Sequence, residues 1–401
     1  ISPPVRCLPF VPGSSVPMVQ EGRIWVDGLF GTGFKGPVRK HYRKVIEALN
    51  SLRAPVFSID VPSGFPSDVE DLLDFDGLAV KAKYTLTVDR PKRAMLSAEA
   101  DPFVGDLIEV PLPFHPQALE EQWPKAHHVL LEPEDLEAWL PNRTKHSHKG
   151  TAGTGLIAGG SKDSMGALAL ATKAMMRAGS GKGFALGPQN GAESIRLLVP
   201  EVQYLVGGEH FIENWPDLPG LQALGIGPGL GTEDKTKNWL KEWMHRAAVP
   251  TVFDADALNL LAQEPTWLRF LPDNSILTPH PAEFDRLIGK SPKTPAERWL
   301  ALPDFAQKTG AVVVLKGGVT AIASPSGKMY YCSLGSPALA TGGSGDVLTG
   351  IITALLAQGL LPLQAALTGV LWHTLAGSLH SKNHRPHTLL AGDLPDLLAL
   401  V

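Results

Sequence analysis

Short apolar runs that stop at a glycine, an aspartate or a threonine-proline turn recur along this chain, and the recurrence restricts the fold more than any other feature. Arg23 to Leu29 alternates like a strand, gives way to a glycine-rich turn over residues 30–37, and is followed by a helical stretch from about His41 to Leu52. Ala54 to Ile59 ends in Asp60-Val61-Pro62-Ser63-Gly64, Ala79 to Val88 continues the pattern, and Asp106 to Val110 adds a final strand of this group. Further on, Thr154 to Ala158 breaks at Gly159-Gly160, and an Ala-rich helix follows to about Ala178. Ala223 to Ile226 breaks at Gly227-Pro228-Gly229, Pro250 to Phe253 at Asp254, Ser275 to Leu277 at Thr278-Pro279-His280, and Ala311 to Leu315 at Lys316-Gly317-Gly318. Repeated βα units imply a mainly parallel sheet with ligands gathered at its carboxyl edge. The expected class is α/β, in two three-layer domains.

Length supports two domains, because 401 residues exceed one ordinary core. Pro, His, Gln and Glu dominate from Pro111 to about His128, as in a linker, which sets the expected boundary near Lys125 and the domains at 1–125 and 126–401. A net charge of −4 offers no basic field for nucleic acid, so any anionic ligand must be held locally. Cys7 and Cys332 are too far apart in sequence to suggest a disulfide framework, which fits a reducing cytoplasm. No secretory signal is visible, and Ile1 in place of Met suggests a trimmed start. Val347 to Ser381 carries no Lys, Arg, Asp or Glu, yet its polar interruptions leave no stretch of the roughly 20 apolar residues a bilayer requires. Two core helices are expected there, and their apolar faces would also suit a homo-oligomer.

The chemistry concentrates in Ala340 to Gly350 (ATGGSGDVLTG). Glycines and hydroxyl residues leading into an apolar helix make a mouth whose free N–H groups and dipole suit an anion. Asp346 stands where phosphate oxygens would lie, and a carboxylate there can serve as base for a hydroxyl attacking phosphorus. Ser, Thr and Asp are equally good cap residues, so this stretch alone leaves cap and catalyst open. Glu283 is a candidate Mg²⁺ ligand or a first-turn helix carboxylate. Asp254 and Asn259 flank another strand end. Lys316 could face a nucleotide phosphate or the solvent.

Together these loops resemble the ribokinase-like superfamily. HKGTAGTGLIAGGS (His148 to Ser161), GIGPGLG (Gly225 to Gly231), FDADALNLLA (Phe253 to Ala262), LTPHPAEFDRLIG (Leu277 to Gly289), VVLKGGVT (Val313 to Thr320) and ATGGSGDVLTGIITALLAQG (Ala340 to Gly359) resemble the NAD(P)H-hydrate dehydratase family. The resemblance implies dehydration of the S epimer of NAD(P)H hydrate at the expense of ADP or ATP. It implies Asp346 as base, and Gly343, Ser344 and Gly345 around the transferring phosphoryl group. Ala167, Gly229, His280 and Asp346 would contact the hydrate; Lys316, Gly317, Gly318, Val319, Thr320 and Gly345 would hold the adenine nucleotide. His280-Pro281-Ala282-Glu283 stands where superfamily kinases often carry Asn-x-x-Glu. The competing reading is a small-molecule kinase acting on a vitamin-precursor alcohol.

In the first, Rossmann-like domain, WVDGLFGTGFKGPV (Trp25 to Val38) and FSIDVPSG (Phe57 to Gly64) resemble the NAD(P)H-hydrate epimerase family. That resemblance implies K⁺ at Asp27 and Ser63, and hydrate contacts from Gly31, Thr32, Gly33, Phe34, Lys35, Gly36, Pro37 and Asp60. The family's Asn-Asn-Gly-Gly-Asp loop is not found between Ile1 and Val26, so a trimmed epimerase domain is expected.

Overall fold

The computed structural model describes residues 24–113, 126–216 and 218–401. The segment before Ile24, most of the expected linker and the boundary near Lys125 lie outside them. The chain divides into two compact units, one holding the first four strands and the other holding the last ten.

In the first unit β1 (Trp25–Asp27), β2 (Val56–Ile59), β3 (Tyr84–Val88) and β4 (Asp106–Val110) pair in that order, all parallel. Register aligns Asp27 with Ser58 and Ser58 with Thr85, a polar row on a buried face. Helix Lys40–Asn50 lays Val45, Ile46 and Leu49 into the core beside Val38, Val56 and Val80. Its apolar positions fall at helical spacing, which is why the sequence announced it. The other sheet face carries Val26, Ile59 and Ile108, which are exposed.

The second unit is built on β5 (His128–Leu130), β6 (Thr154–Ala158), β7 (Lys182–Pro188), β8 (Gln203–Gly208), β9 (Ala223–Ile226), β10 (Thr251–Phe253), β11 (Ser275–Leu277), β12 (Val312–Leu315), β13 (Thr320–Ala323) and β14 (Met329–Cys332). They pair in the order β5-β14-β13-β12-β11-β10-β9-β6-β7-β8, and among them β13 runs against its neighbours. Strand order reverses between β6 and β9: from β6 the chain steps outward to β7 and β8, then returns to β9 and steps the other way. Such a reversal opens a crevice at the strands' carboxyl ends, where doubly wound sheets bind ligands. Leu156, Ile157, Leu224, Phe253 and Ile276 are fully buried, as strands covered on both faces require.

Helix Ser344–Ala357 is buried from Val347 onward, which explains an apolar sequence with no polar stripe. It crosses helix Met165–Arg177 so closely that a Cβ on Gly350 would stand 2.1 Å from the Ala171 carbonyl oxygen. Helix Pro362–Asn383 follows, with Ala365, Ala366, Leu367, Val370 and Leu371 buried inside the unit. No helix among the described residues is long and apolar enough to cross a membrane.

Candidate active site

The crevice is floored by glycine turns. Gly227 has φ 129°, and a Cβ there would meet the Asp254 carbonyl oxygen at 1.8 Å, so no other residue fits between β9 and β10. Gly160 N donates to the Pro228 carbonyl at 2.8 Å, joining the turns that follow β6 and β9. Ala167, at the start of helix Met165–Arg177, is brought beside Gly229: a Cβ on Gly229 would approach the Ala167 Cβ to 3.2 Å. These two residues, far apart in sequence, are neighbours in the fold.

The mouth of helix Ser344–Ala357 lies against the same helix Met165–Arg177, where a Cβ on Gly343 would stand 2.5 Å from Leu170 Cδ1. Gly343 turns the chain into it with φ 92°, a conformation that side-chained residues avoid. Asp346 lies in the first helical turn, and burial pushes its carboxyl up to about 7, with the Asp254 charge the next cause and Lys316 pulling the other way. A carboxyl that loses its proton near neutral pH is suited to act as a base. Ser344 Oγ is 3.1 Å from His373 Nε2, and burial of His373 drives its pKa down to about 4, leaving the ring neutral beneath the mouth.

Lys316 follows β12 and leads into β13 through Gly317, Gly318 and Val319, so the loop read from sequence is the bend of an antiparallel hairpin ending at Thr320. Its Nζ donates to Asp254 Oδ1 at 2.7 Å, and Thr349 Oγ1 donates to Asp254 Oδ2 at 2.7 Å. A Cβ on Gly345 would stand 3.1 Å from the same Nζ. Asp254 thus ties the hairpin lysine to the glycine mouth. Sequence reasoning had it only as a strand-end carboxylate, because its partners are 62 and 95 residues away.

His280 and Glu283 form a capping box. His280 Nδ1 accepts from Ala282 N at 3.1 Å and Glu283 N at 3.4 Å, while His280 N donates to Glu283 Oε2 at 2.8 Å. An accepting Nδ1 places the ring proton on Nε2, 3.4 Å from Glu283 Oε1. Burial first, then Lys316 and Arg286, lowers the His280 pKa, so the ring is neutral. Glu283 is buried and its carboxyl is pushed up, chiefly by burial, with Lys316 opposing. The helix-carboxylate reading of Glu283 therefore describes its geometry.

In the first unit, Asp27 Oδ2 accepts from Ser58 Oγ and Ser63 N, both at 2.8 Å, and Oδ1 from Leu29 N at 3.3 Å. Ser63 Oγ accepts from Phe30 N at 2.9 Å, so the Asp27 strand end and the Ser63 turn are one structure. Above them the turn Gly31 to Pro37 folds with Phe34 N bonded to the Gly31 carbonyl at 3.0 Å and Phe30 stacked on Phe34 at 4.7 Å between centroids. Thr32 and Lys35 are exposed, and Gly36 has φ 84°. Asp60, also left-handed at φ 68°, accepts from Val88 N at 3.0 Å and from Lys92 Nζ at 2.5 Å. Lys92 was not singled out in the sequence, since no motif marks it.

A doubly wound sheet with a glycine helix mouth at its switch point belongs to the ribokinase-like class of α/β fold. A ribokinase-like superfamily protein of Enterococcus faecalis matches that fold with a TM-score of 0.61 at 24% identity, over 68% of this chain and 95% of that one. The chain belongs to the NAD(P)H-hydrate dehydratase family, whose model matches residues 155–399, and a model of the YjeF-related protein N-terminus matches residues 9–94. It is 34% identical to the bifunctional NAD(P)H-hydrate repair enzyme of Vibrio cholerae, over 96% of this chain and 75% of that protein. It is 36% identical to that of Coxiella burnetii, over 98% and 79%. The ADP/ATP-dependent NAD(P)H-hydrate dehydratase of Bacillus subtilis, co-crystallised with ATP and Mg²⁺, matches at 33% identity with a TM-score of 0.59, over 68% of this chain and 96% of that one.

Proposed function

We propose that the second unit repairs hydrated NADH and NADPH, dehydrating the S epimer with consumption of ADP or ATP. The observation that carries this reading is Asp346, a carboxyl with its pKa raised to about 7, at a glycine helix mouth joined to Lys316 through Asp254. Hydroxide is a poor leaving group, so the ring hydroxyl is first made into a phosphate ester. Asp346 takes the hydroxyl proton as the oxygen attacks phosphorus. The turn of Gly343, Ser344 and Gly345 stabilises the transferring phosphoryl oxygens, and Lys316 balances the charge of the phosphate chain. The ring nitrogen's lone pair then expels phosphate, and loss of the ring proton restores the conjugated dihydropyridine. Ala167, Gly229 and His280 hold the hydrate, while Lys316 to Thr320 and Gly345 hold the nucleotide.

Mg²⁺ takes one or two carboxylates and completes its shell with phosphates and water. The donor set suits an ion carried on the nucleotide: no group of three metal-binding side chains occurs among the described residues, and buried carboxylates are present at Glu283 and Asp254. Both Asp254 oxygens are taken by Lys316 and Thr349, so Glu283 would hold the ion, directly or through water, where it would neutralise charge on the phosphates.

The first unit would interconvert the R and S hydrates, feeding the second. Its hydrate would lie against Gly31 to Pro37 and Asp60. K⁺ fits the oxygen cluster of Asp27, Ser63 and the Phe30 carbonyl, the last 3.5 Å from Ser63 Oγ.

The test is to incubate hydrated NADH with ADP or ATP and follow the return of reduced-nicotinamide absorbance with release of inorganic phosphate. No recovery with either nucleotide overturns the proposal, and accumulation of a stable phosphorylated alcohol favours a kinase instead.

A further inference from the structure

Helix Pro362–Asn383 crosses helix Ser344–Ala357 closely: a Cβ on Gly369 would stand 2.7 Å from Ile352 Cγ1. One turn beyond Gly369 the same helix carries His373, which is buried, and Ser344, where the other helix begins, is buried as well. His373 Nε2 lies 3.1 Å from Ser344 Oγ. The ring also hydrogen-bonds the Ser344 backbone in the sense that raises its proton affinity, which requires a ring N–H donating to the carbonyl. Both bonds from this ring reach one residue. Burying an imidazole costs free energy unless its polar atoms are paired. Burial, with the Lys316 charge adding to it, keeps the ring neutral. A neutral ring offers phosphate no counter-charge, and the proton of the attacking hydroxyl goes to Asp346. What His373 can supply is position.

We propose that His373 is a positioning residue for phosphoryl transfer, anchoring Ser344 so that the glycine turn at the helix mouth keeps one shape as the phosphoryl group passes. The inference rests on the dehydratase reading and deepens it. Ser344 is the one residue with a side chain in the run Gly342-Gly343-Ser344-Gly345, and glycine backbones are conformationally free. Stabilising a transferring group depends on donors fixed before the reaction, since reorganising them during it costs the advantage. The flanking glycines have no side chain by which the core can hold them. Ser344 is therefore the handle on the turn, and His373 is the group that grips it. The route from there is short, because a Cβ on the next residue, Gly345, would stand 3.1 Å from Lys316 Nζ. One anchor in the core thus sets the turn against the lysine that faces the phosphate chain.

The experiment pairs substitutions at the two residues. His373→Gln keeps a donor and an acceptor near the position of Nε2 and should hold kcat for hydrated NADH within about threefold of wild type. His373→Asn falls short of Ser344, and His373→Leu fills the space with no hydrogen bond. Each should lower kcat by about 10–100-fold, the size of a small displacement in a pre-organised site, with KM for ADP, ATP and hydrated NADH within about threefold. Ser344→Ala should lower kcat to a similar degree. Adding His373→Leu to it should cost well under the product of the two single losses, because both act on the same turn. Thermal melts identify the variants that fold. Undiminished kcat in folded His373→Asn and His373→Leu overturns the proposal. So do equal losses in His373→Gln and His373→Asn, or losses that multiply in the double variant, which would mark a general effect of packing. If wild-type protein returns no NADH from hydrate with either nucleotide, it is the dehydratase reading that fails, and this inference falls with it.

Discussion

Replacing Asp346 by Asn should abolish turnover and make the protein more stable at neutral pH. Asp346 lies in the first turn of helix Ser344–Ala357, where the helix dipole alone would favour its charge by about 0.3–1 kcal/mol. Burial and the neighbouring Asp254 outweigh that and raise the pKa from 3.8 to about 7. A shift of three units corresponds to about 4 kcal/mol against the ionised form. Because the folded chain holds this proton more tightly than the unfolded chain, its stabilising contribution is complete below pH 3.8 and is lost as pH rises through about 7. Asparagine keeps the shape without the charge. The variant should therefore exceed wild type by roughly 2–4 kcal/mol at pH 8, a gain of several degrees in melting temperature, and match it near pH 4. Parallel melts of both proteins across this range, without nucleotide, read the difference, and absorbance recovery from hydrated NADH reads turnover. A variant that is no more stable than wild type at pH 8 and turns over at a near-normal rate would refute the base assignment and return Asp346 to the role of a cap.

Lys316→Met should raise KM for ADP and ATP by about 10-fold or more, and it should lower stability by about 3 kcal/mol because buried Asp254 loses its cation; initial-rate kinetics and thermal melts check both. Gly350→Ala would set a Cβ 2.1 Å from the Ala171 carbonyl, and parting the two helices should cost about 1–3 kcal/mol in a melt. Asp27→Ala strips three hydrogen-bond donors of their acceptor, the buried Ser58 Oγ and Ser63 N among them. It should cost the first unit about 1–3 kcal/mol for each buried donor left unpaired, and it should abolish conversion of R-enriched hydrate while S hydrate is still consumed.

Elements with their own local signal were legible from the chain. Strands β4, β6 and β11 fall at the expected bounds, and helix Ser344–Ala357 begins at the expected glycines. Strands β7 and β8 escaped notice because glycine and proline dilute their β signal. Gly183 and Gly187 are there for packing: a Cβ would stand 2.3 Å from Met176 Sδ and 2.6 Å from Tyr204 Oη. The β13–β14 hairpin was missed beyond the Lys316 loop for want of a strong alternating pattern. At the site, glycine mouths and the family motifs were readable because they are contiguous, whereas the Asp254 network was not.

The sequence by itself determined the α/β class, the family, and the stretch in which Asp346 sits, since each depends on spacing within a few residues. Only the tertiary structure decided what Asp346 is chemically. Its raised pKa comes from burial and from Asp254, a residue 92 positions earlier that the strand order brings beneath the same helix mouth. The same holds for Glu283: the chain offers it as a metal ligand or a first-turn helix carboxylate, and only packing pushes its carboxyl up by burial. A carboxylate's type is written in the chain, but its proton affinity depends on the solvent it loses and the charges it meets, and both are set by packing.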